Sequence, residues 1–205
     1  MIRKVLLSTM LVILTISLSA QRFKGGLFAG VNASQVAGDI SSGYKKLGIT
    51  FGATVETQLN DRWGLKMELG FSQKGSRENP TDENGNTQML MRLNYIDLPI
   101  LVRYKINRPL TAQFGLGYGY LLYHYVENDY STTAVAGTPF NTHALNILAG
   151  ITYAISSRFQ VDFRANTSLI PVRPHSSGAS RWFNHGQYND VLSLTLHYSL
   201  GQNEE

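Results

Sequence analysis

The chain has 205 residues, no cysteine and a formal net charge of +4. This length suffices for one domain with a substantial core. The lack of cysteine excludes disulfides, thiol chemistry and cysteine-bound zinc. The sequence also has no basic tract of the kind that binds nucleic acid.

The first twenty residues have the regions of a secretory signal peptide. Arg3 and Lys4 give a positive start, Val5–Leu18 is apolar but short for a bilayer span, and small residues follow. We expect residues 1–20 to be removed and residues 21–205 to form one exported domain. The alternative is a membrane-anchor helix, but the segment lacks a basic stop-transfer flank.

Eight later segments alternate apolar and polar residues. A period of two is typical of a β-strand with one apolar face. The predicted strands are Gly26–Ser34, Leu47–Gln58, Trp63–Lys74, Gln88–Lys105, Leu110–Tyr125, Ala144–Ile155, Phe159–Leu169 and Tyr188–Leu200.

The fourth segment changes parity along its length. Met89, Met91 and Leu93 share one parity, whereas the apolar residues from Leu98 onward share the other. A β-bulge near Tyr95–Asp97 would return all of them to one apolar face.

The fifth segment has glycine at Gly115, Gly117 and Gly119. A phosphate-binding loop needs a different glycine spacing and a helix after it. Large residues fill the gaps here, so we predict a strand with one bulky face and one nearly bare face.

The connections between the predicted strands alternate in length. Three are short, at 59–62, 106–109 and 156–158, and four are long, at 35–46, 75–87, 126–143 and 170–187. This alternation predicts consecutive antiparallel hairpins with all the long loops at one end.

Two barrel architectures fit eight antiparallel strands. In a soluble periplasmic lipocalin-like carrier the apolar face points inward, whereas in an outer-membrane barrel it faces lipid. The polar face carries charges of both signs, which suits a narrow lumen where buried charges need partners. The predicted lumen charge network consists of Glu56, Lys66, Glu68, Arg92, Asp97, Arg103, Asp162 and Arg164.

Aromatic residues cluster near both ends of the predicted strands, as they do at membrane interfaces. Those near the short turns are Trp63, Tyr104, Tyr153, Phe159 and Tyr198, and those near the long loops are Phe71, Tyr120, Tyr123 and Tyr188. We therefore predict an all-β fold, an eight-stranded antiparallel up-and-down transmembrane β-barrel.

Four stretches carry a family resemblance: GLFAGVNAS, LNYIDLPILVRYKI (Leu93–Ile106), FGLGYGY and LSLTLHYSLG, with YIDLP the most specific. On these the chain resembles the PorT-like outer-membrane β-barrel family of Bacteroidetes-type bacteria. The resemblance implies an integral outer-membrane barrel with periplasmic termini. Named PorT proteins take part in type IX protein secretion. This chain departs from the usual aromatic barrel ending, because Gln-Asn-Glu-Glu follows Leu200 and Gly201.

One possible catalytic pair lies in the last long loop. His175 and Ser177 have the His-x-Ser spacing that resembles outer-membrane lipid A deacylases. A serine nucleophile also needs an orienting acid, and none precedes Asp190 nearby. No motif for a metal site is present. We expect no enzymatic activity, cofactor or metal, with a lipid A-modifying hydrolase as the alternative.

The expected partners lie in the cell envelope. Arg173, Arg181 and Trp182 could meet the phosphates of lipopolysaccharide, and long exposed loops often bind other proteins. We expect a non-enzymatic barrel with a plugged polar lumen and a structural or interaction role, in contact with outer-membrane lipid and envelope or secretion proteins.

Overall fold

The computed structural model describes residues 23–39, 43–80, 82, 88–128, 139–174, 179–181 and 184–200. The predicted signal peptide lies outside these residues. The strands are β1 (Phe23–Ala37), β2 (Lys46–Gln58), β3 (Trp63–Glu78), β4 (Met89–Lys105), β5 (Leu110–Asn128), β6 (His143–Ala154), β7 (Phe159–Ser168), β8 (Ala179–Arg181), β9 (Asn184–Gly186) and β10 (Tyr188–Ser199).

Eight of these strands close into one antiparallel barrel, which confirms the predicted fold class. The order around the barrel is β1, β10, β7, β6, β5, β4, β3, β2. The first and last strands close it, with pairs running from Gly26 opposite Ser199 to Ala37 opposite Tyr188. No helix among the described residues is long and apolar enough to cross a membrane.

The strands differ in length in a way that shapes the two ends. Strands β3, β4 and β5 have 16, 17 and 19 residues, whereas β7 has 10. About 9–11 tilted residues cross the hydrocarbon layer, so the longer strands extend beyond it on the long-loop side. The last long loop adds a small hairpin in which β8 pairs with β9. Each of these strands has only three residues, which is too short for an alternating pattern to predict it.

The outer wall is apolar and the inner wall is polar. Exposed side chains such as Leu47, Leu69 and Phe114 cover the outside, with 72%, 56% and 55% of their surfaces accessible. Charged and polar side chains such as Lys66 and Glu68 are buried inside, at 2% and 3%. A lipocalin-like carrier requires the opposite orientation, so the structure contradicts that alternative.

The pairing of β4 with β5 contains one bulge, and its extra residue lies in β5, not in β4. Tyr95 pairs with Leu121 and Asn94 pairs with Tyr123, which leaves Leu122 of β5 as the extra residue. The prediction of a bulge at Tyr95–Asp97 in β4 is therefore wrong.

An apolar cluster fills the inside of the barrel at the long-loop end. Because β4 keeps one parity, its alternate residues from Met89 point inward, and Val172 from the last long loop packs onto them. We call this group the apolar cap; its buried members are Val36, Met89, Met91, Leu93, Tyr95, Ala144 and Val172. Above the lipid, an interior can be apolar as in a soluble protein.

Candidate functional site: the barrel interior and its ends

Four charged side chains meet in the middle of the lumen. Strands β3 and β7 face each other across it, because polar residues alternate inward on both. Arg164 forms a fork with Glu68, with nitrogen–oxygen distances of 2.8 and 2.9 Å, and its Nη2 lies 3.0 Å from Asp162. Lys66 lies 2.8 Å from Glu68 and 3.8 Å from Asp162. Two positive and two negative charges thus balance in what we call the central cluster.

Neutral polar groups satisfy part of the central cluster. The Oδ2 atom of Asp162 accepts hydrogen bonds from the amide of Gln113 and the hydroxyl of Thr152. Asp162 Oδ1 and Arg164 Nε are buried without a hydrogen-bond partner among the described residues. Buried ion pairs need their remaining lone pairs and protons satisfied, so hydrogen bonding in the cluster is incomplete.

His197 extends the central cluster toward the short turns. Its Nδ1 lies 3.3 Å from the Lys66 ammonium and its Nε2 lies 2.9 Å from the Thr195 hydroxyl. An ammonium only donates, so Nδ1 accepts and Nε2 carries the proton. The ring of Phe28 stacks on the imidazole at 5.3 Å. This geometry fits a neutral interior histidine.

A second charge layer lies nearer the short turns. Arg103 forms an ion pair with Glu56, and its Nη2 donates to Gln160 at 3.1 Å. The strands β2, β4 and β7 thus meet across this level of the lumen.

A third charge layer lies between the central cluster and the apolar cap. The Lys74 ammonium lies 2.7 Å from Asp97 and 4.8 Å from the centre of the Tyr95 ring. Lys74 is only 1% exposed and the Asp97 side chain is 18% accessible, so the ammonium is removed from water and the carboxylate only in part.

A small cavity of about 50 Å³ separates the central cluster from this third layer. Glu68 and Arg164 line it on one side and Asp97 on the other, with Asn146 and Ser193 between them. A cavity of this size has room for a few water molecules, not for an organic ligand.

The alternating glycines of β5 lie on the inner wall, where larger side chains do not fit. A Cβ atom on Gly115 would come within 2.0 Å of the Ile100 carbonyl oxygen, and one on Gly119 within 2.8 Å of an Asp97 carboxylate oxygen. The bare face of β5 therefore makes room for neighbouring strands and charged side chains.

The structure brings together most of the predicted lumen residues. Those inside the barrel are Glu56, Lys66, Glu68, Asp97, Arg103, Asp162 and Arg164. Arg92 is not among them: its side chain is exposed on the outer wall. Its assignment to the lumen is wrong because it depended on the misplaced bulge.

The sequence interpretation missed Lys74. It shares the parity of Lys66 and Glu68 in the same strand, so strict alternation would have found it. It was passed over because it stands at the end of the predicted segment, whereas β3 continues to Glu78.

Aromatic side chains pair on the outer wall at the short-turn end. Trp63 packs on Tyr104 with ring centres 4.8 Å apart, and Phe159 packs on Tyr198 at 5.1 Å. At the long-loop end Tyr120 is exposed, whereas Tyr188 is completely buried. Tyr188 is therefore not part of an outer girdle.

A clamp holds the β8–β9 hairpin against the barrel. Arg181 forms a fork with Asp190, with distances of 2.7 and 2.8 Å, and its Nη1 lies 3.1 Å from the Thr167 hydroxyl. The hydrogen-bonded carboxylate of Asp190 raises the pKa of the Arg181 guanidinium. Arg173 lies over the Phe140 ring at 5.1 Å and is buried.

The possible catalytic pair, His175 and Ser177, lies outside the described residues, as does Trp182. Among the residues that the structure describes, no group of three or more histidine and carboxylate side chains could hold a metal ion.

The outward apolar wall, the aromatic pairs and the charged lumen define an integral outer-membrane β-barrel. The chain belongs to the outer membrane protein beta-barrel domain family, whose model matches residues 18–173.

The chain is similar to solved structures, of which Neisserial surface protein A shares its fold. Neisserial surface protein A is similar with 13% identity and a TM-score of 0.53, covering 85% of this chain and 96% of its own. Ail of Yersinia pestis, solved with the heparin analogue sucrose octasulfate, has 12% identity and a TM-score of 0.49, covering 87% and 99%. OprG of Pseudomonas aeruginosa has 12% identity and a TM-score of 0.40, covering 88% and 95%. Such low identities bear on the fold alone. No curated protein matches the chain by sequence.

Proposed function

We propose that the protein is a non-enzymatic outer-membrane barrel with a closed lumen and a structural or interaction role. The observation that carries this proposal is the stacking of three charge-balanced layers under the apolar cap. The layers pair Arg103 with Glu56, Arg164 with Glu68, and Lys74 with Asp97.

The closure of the lumen follows from its width and its pairing. An eight-stranded barrel has room for little beyond its own side chains. Separating Arg164 from Glu68 to admit a solute would leave both charges buried without partners, which is costly. The lumen therefore supports a rigid scaffold better than a pore.

The interaction role falls to the ends of the barrel. The β3–β5 strands extend above the lipid and the clamp holds the β8–β9 hairpin against the barrel, so these described elements present a surface at the long-loop end. Its proposed partners are lipopolysaccharide and other envelope proteins. The start of β1 and the end of β10 lie beside the short turns, and we propose that this end of the barrel faces the periplasm.

The resemblance to PorT-like barrels extends this proposal to a component of type IX protein secretion. The test is native gel migration of the protein, tagged in a long loop and extracted gently from host outer membranes. Migration in a large assembly, with secretion proteins identified by mass spectrometry, is the expected result. Migration as a lone barrel contradicts the secretion role and leaves a stand-alone scaffold.

The absence of enzymatic activity has its own test. Ser177→Ala in the host should leave the acylation pattern of lipid A unchanged, as measured by mass spectrometry. A change in lipid A acylation, matched by the His175→Ala variant, would overturn the non-enzymatic proposal.

A further inference from the structure

The short-turn end of the barrel carries an excess of positive charge among the described residues. Glu56 and Arg103 at this end neutralise each other inside the lumen. The remaining charged residues in the turns and at the start of β1 are Lys24, Arg62, Lys105, Arg108 and Arg158 against the single acid Asp61. We call Arg62, Lys105, Arg108 and Arg158 the basic collar.

The members of the basic collar are exposed on three different turns. No ion pair joins any of them to a carboxylate in the part of the chain that the structure describes. At the opposite end some cations are paired, Lys45 with Glu78 and Arg181 with Asp190, whereas the exposed Arg77 and Arg92 have no ion pair among the described residues. Charge at the short-turn end is thus left for something outside the barrel.

The aromatic pairs fix the depth of the basic collar. Arg62 directly precedes Trp63, Lys105 directly follows Tyr104, and the Arg62 Nη1 lies 3.2 Å from the Tyr104 hydroxyl oxygen. On another turn Arg158 directly precedes Phe159. Wall aromatics of membrane proteins lie at the level of the lipid headgroups. The collar is therefore at the depth of the lipid phosphates.

We propose that the basic collar binds the phosphate groups of anionic phospholipids in the leaflet that surrounds the short turns. Guanidinium groups match phosphate oxygens in a fork geometry, and an ammonium adds a point charge. Spread over three turns, the collar contacts several headgroups around the circumference. The proposal goes beyond the scaffold role and rests on the proposed orientation, in which the short turns face the periplasm.

Trp63 provides a local reporter of lipid binding. The chain has two tryptophans, so Trp182→Phe leaves Trp63, beside Arg62, as the only tryptophan, whose emission is excited selectively over that of the tyrosines. The protein is refolded into two kinds of vesicle. One contains phosphatidylcholine and brominated phosphatidylglycerol, and the other contains brominated phosphatidylcholine and phosphatidylglycerol. Quenching of Trp63 fluorescence in each reports which lipid lies next to it. We expect phosphatidylglycerol to be favoured about fivefold, the effect of one basic side chain near an anionic surface.

Substitution of the collar should remove this preference. In the variant R62Q/K105Q/R108Q/R158Q, quenching by the two lipids should become equal. The matched control R77Q/R92Q changes exposed arginines at the other end and should keep the full preference. Heat-modifiable gel migration identifies the folded barrel in each sample. An unchanged preference in the collar variant would overturn the proposal.

A salt titration of the unsubstituted collar gives a second test that does not depend on folding of a variant. The preference for phosphatidylglycerol should fall as the NaCl concentration is raised. Inorganic phosphate at the same ionic strength should reduce this preference further only if free phosphate competes with lipid for the collar. A preference that is absent at low salt contradicts lipid binding. Glu204 and Glu205 follow β10 in the chain; loss of their charges in E204Q/E205Q should not abolish the preference.

Discussion

Arg164 is a buried side chain that forms ion pairs with two carboxylates at once. It contacts both carboxylates of the central cluster, Glu68 and Asp162. Buried ion pairs contribute little net stability compared with apolar side chains, but removal of one partner leaves an uncompensated charge. The contribution of Arg164 to the free energy of unfolding is therefore measurable only in variants that keep Glu68 and Asp162.

Arg164→Ala should destabilise the folded barrel by about 3–5 kcal/mol, because it leaves two buried carboxylates short of positive charge. The measurement is the free energy of unfolding in urea, in lipid vesicles. Arg92→Ala is the control: this arginine is exposed, so the change should be within about 0.5 kcal/mol. Equal losses in the two variants would contradict the central cluster as described.

Arg164 and Glu68 can also be replaced together by apolar residues. Arg164→Met combined with Glu68→Leu should recover part of the loss seen with Arg164→Met alone, since both buried charges of the fork are then gone. Additive losses in this double-mutant cycle would show that the two side chains act independently, against the geometry.

Glycine at Gly115 is required by the close approach of a neighbouring strand. Gly115→Ala places a Cβ atom 2.0 Å from the Ile100 carbonyl oxygen, so the strands must separate and stability should fall by about 1–3 kcal/mol. At Gly25 a Cβ atom meets nothing within 4 Å, and Gly25→Ala should cost little. The same urea measurement compares the two; a Gly25 variant as unstable as the Gly115 variant would refute this explanation.

At the level of the strand, alternation predicts nearly everything that lies within the lipid. Phe159–Ser168 of β7, for example, has alternating inward and outward residues, and its predicted range differs by one residue. The two solvents, lipid outside and a charged lumen inside, impose one rule over this depth. That is why seven of the eight predicted charges lie inside.

Beyond the lipid the same rule misleads. Met89, Met91 and Leu93 were assigned outward because apolar residues face lipid, yet they form the apolar cap. Water surrounds this part of the barrel, so burial inside is the favourable choice. The sequence alone does not mark the depth at which the rule changes, and the bulge and Arg92 were misplaced for this reason.

The β8–β9 hairpin should depend on the clamp. Arg181→Ala removes a two-point contact to Asp190 and should increase hydrogen exchange of the backbone amides in the hairpin several-fold, since hydrogen bonds to charged groups contribute about 1.5–3 kcal/mol before solvent screening. Lys45→Ala breaks the ion pair of Lys45 with Glu78, which is more exposed because the Lys45 side chain is 41% accessible. This variant should leave hydrogen exchange in the hairpin unchanged. Unaltered exchange in the Arg181 variant would mean that other contacts hold the hairpin.

The whole molecule is a narrow barrel with different chemistry at each level. Among the described residues, the short-turn end is basic and bordered by aromatic pairs, the charges of the lumen are paired, and the apolar cap fills the interior near the long-loop end. No single motif in the sequence carries this organisation. The organisation arises because polar residues of all eight strands point into the lumen, where residues distant in sequence, such as Glu68 and Arg164, lie at the same depth and in contact.

Closure of the lumen is tested most directly by single-channel recording in planar bilayers. If the paired layers and the apolar cap close the lumen as proposed, the purified, folded protein should insert without producing sizeable, stable conductance steps in concentrated KCl. Reproducible large conductance steps from the same folded protein would contradict the account and identify the barrel as a pore.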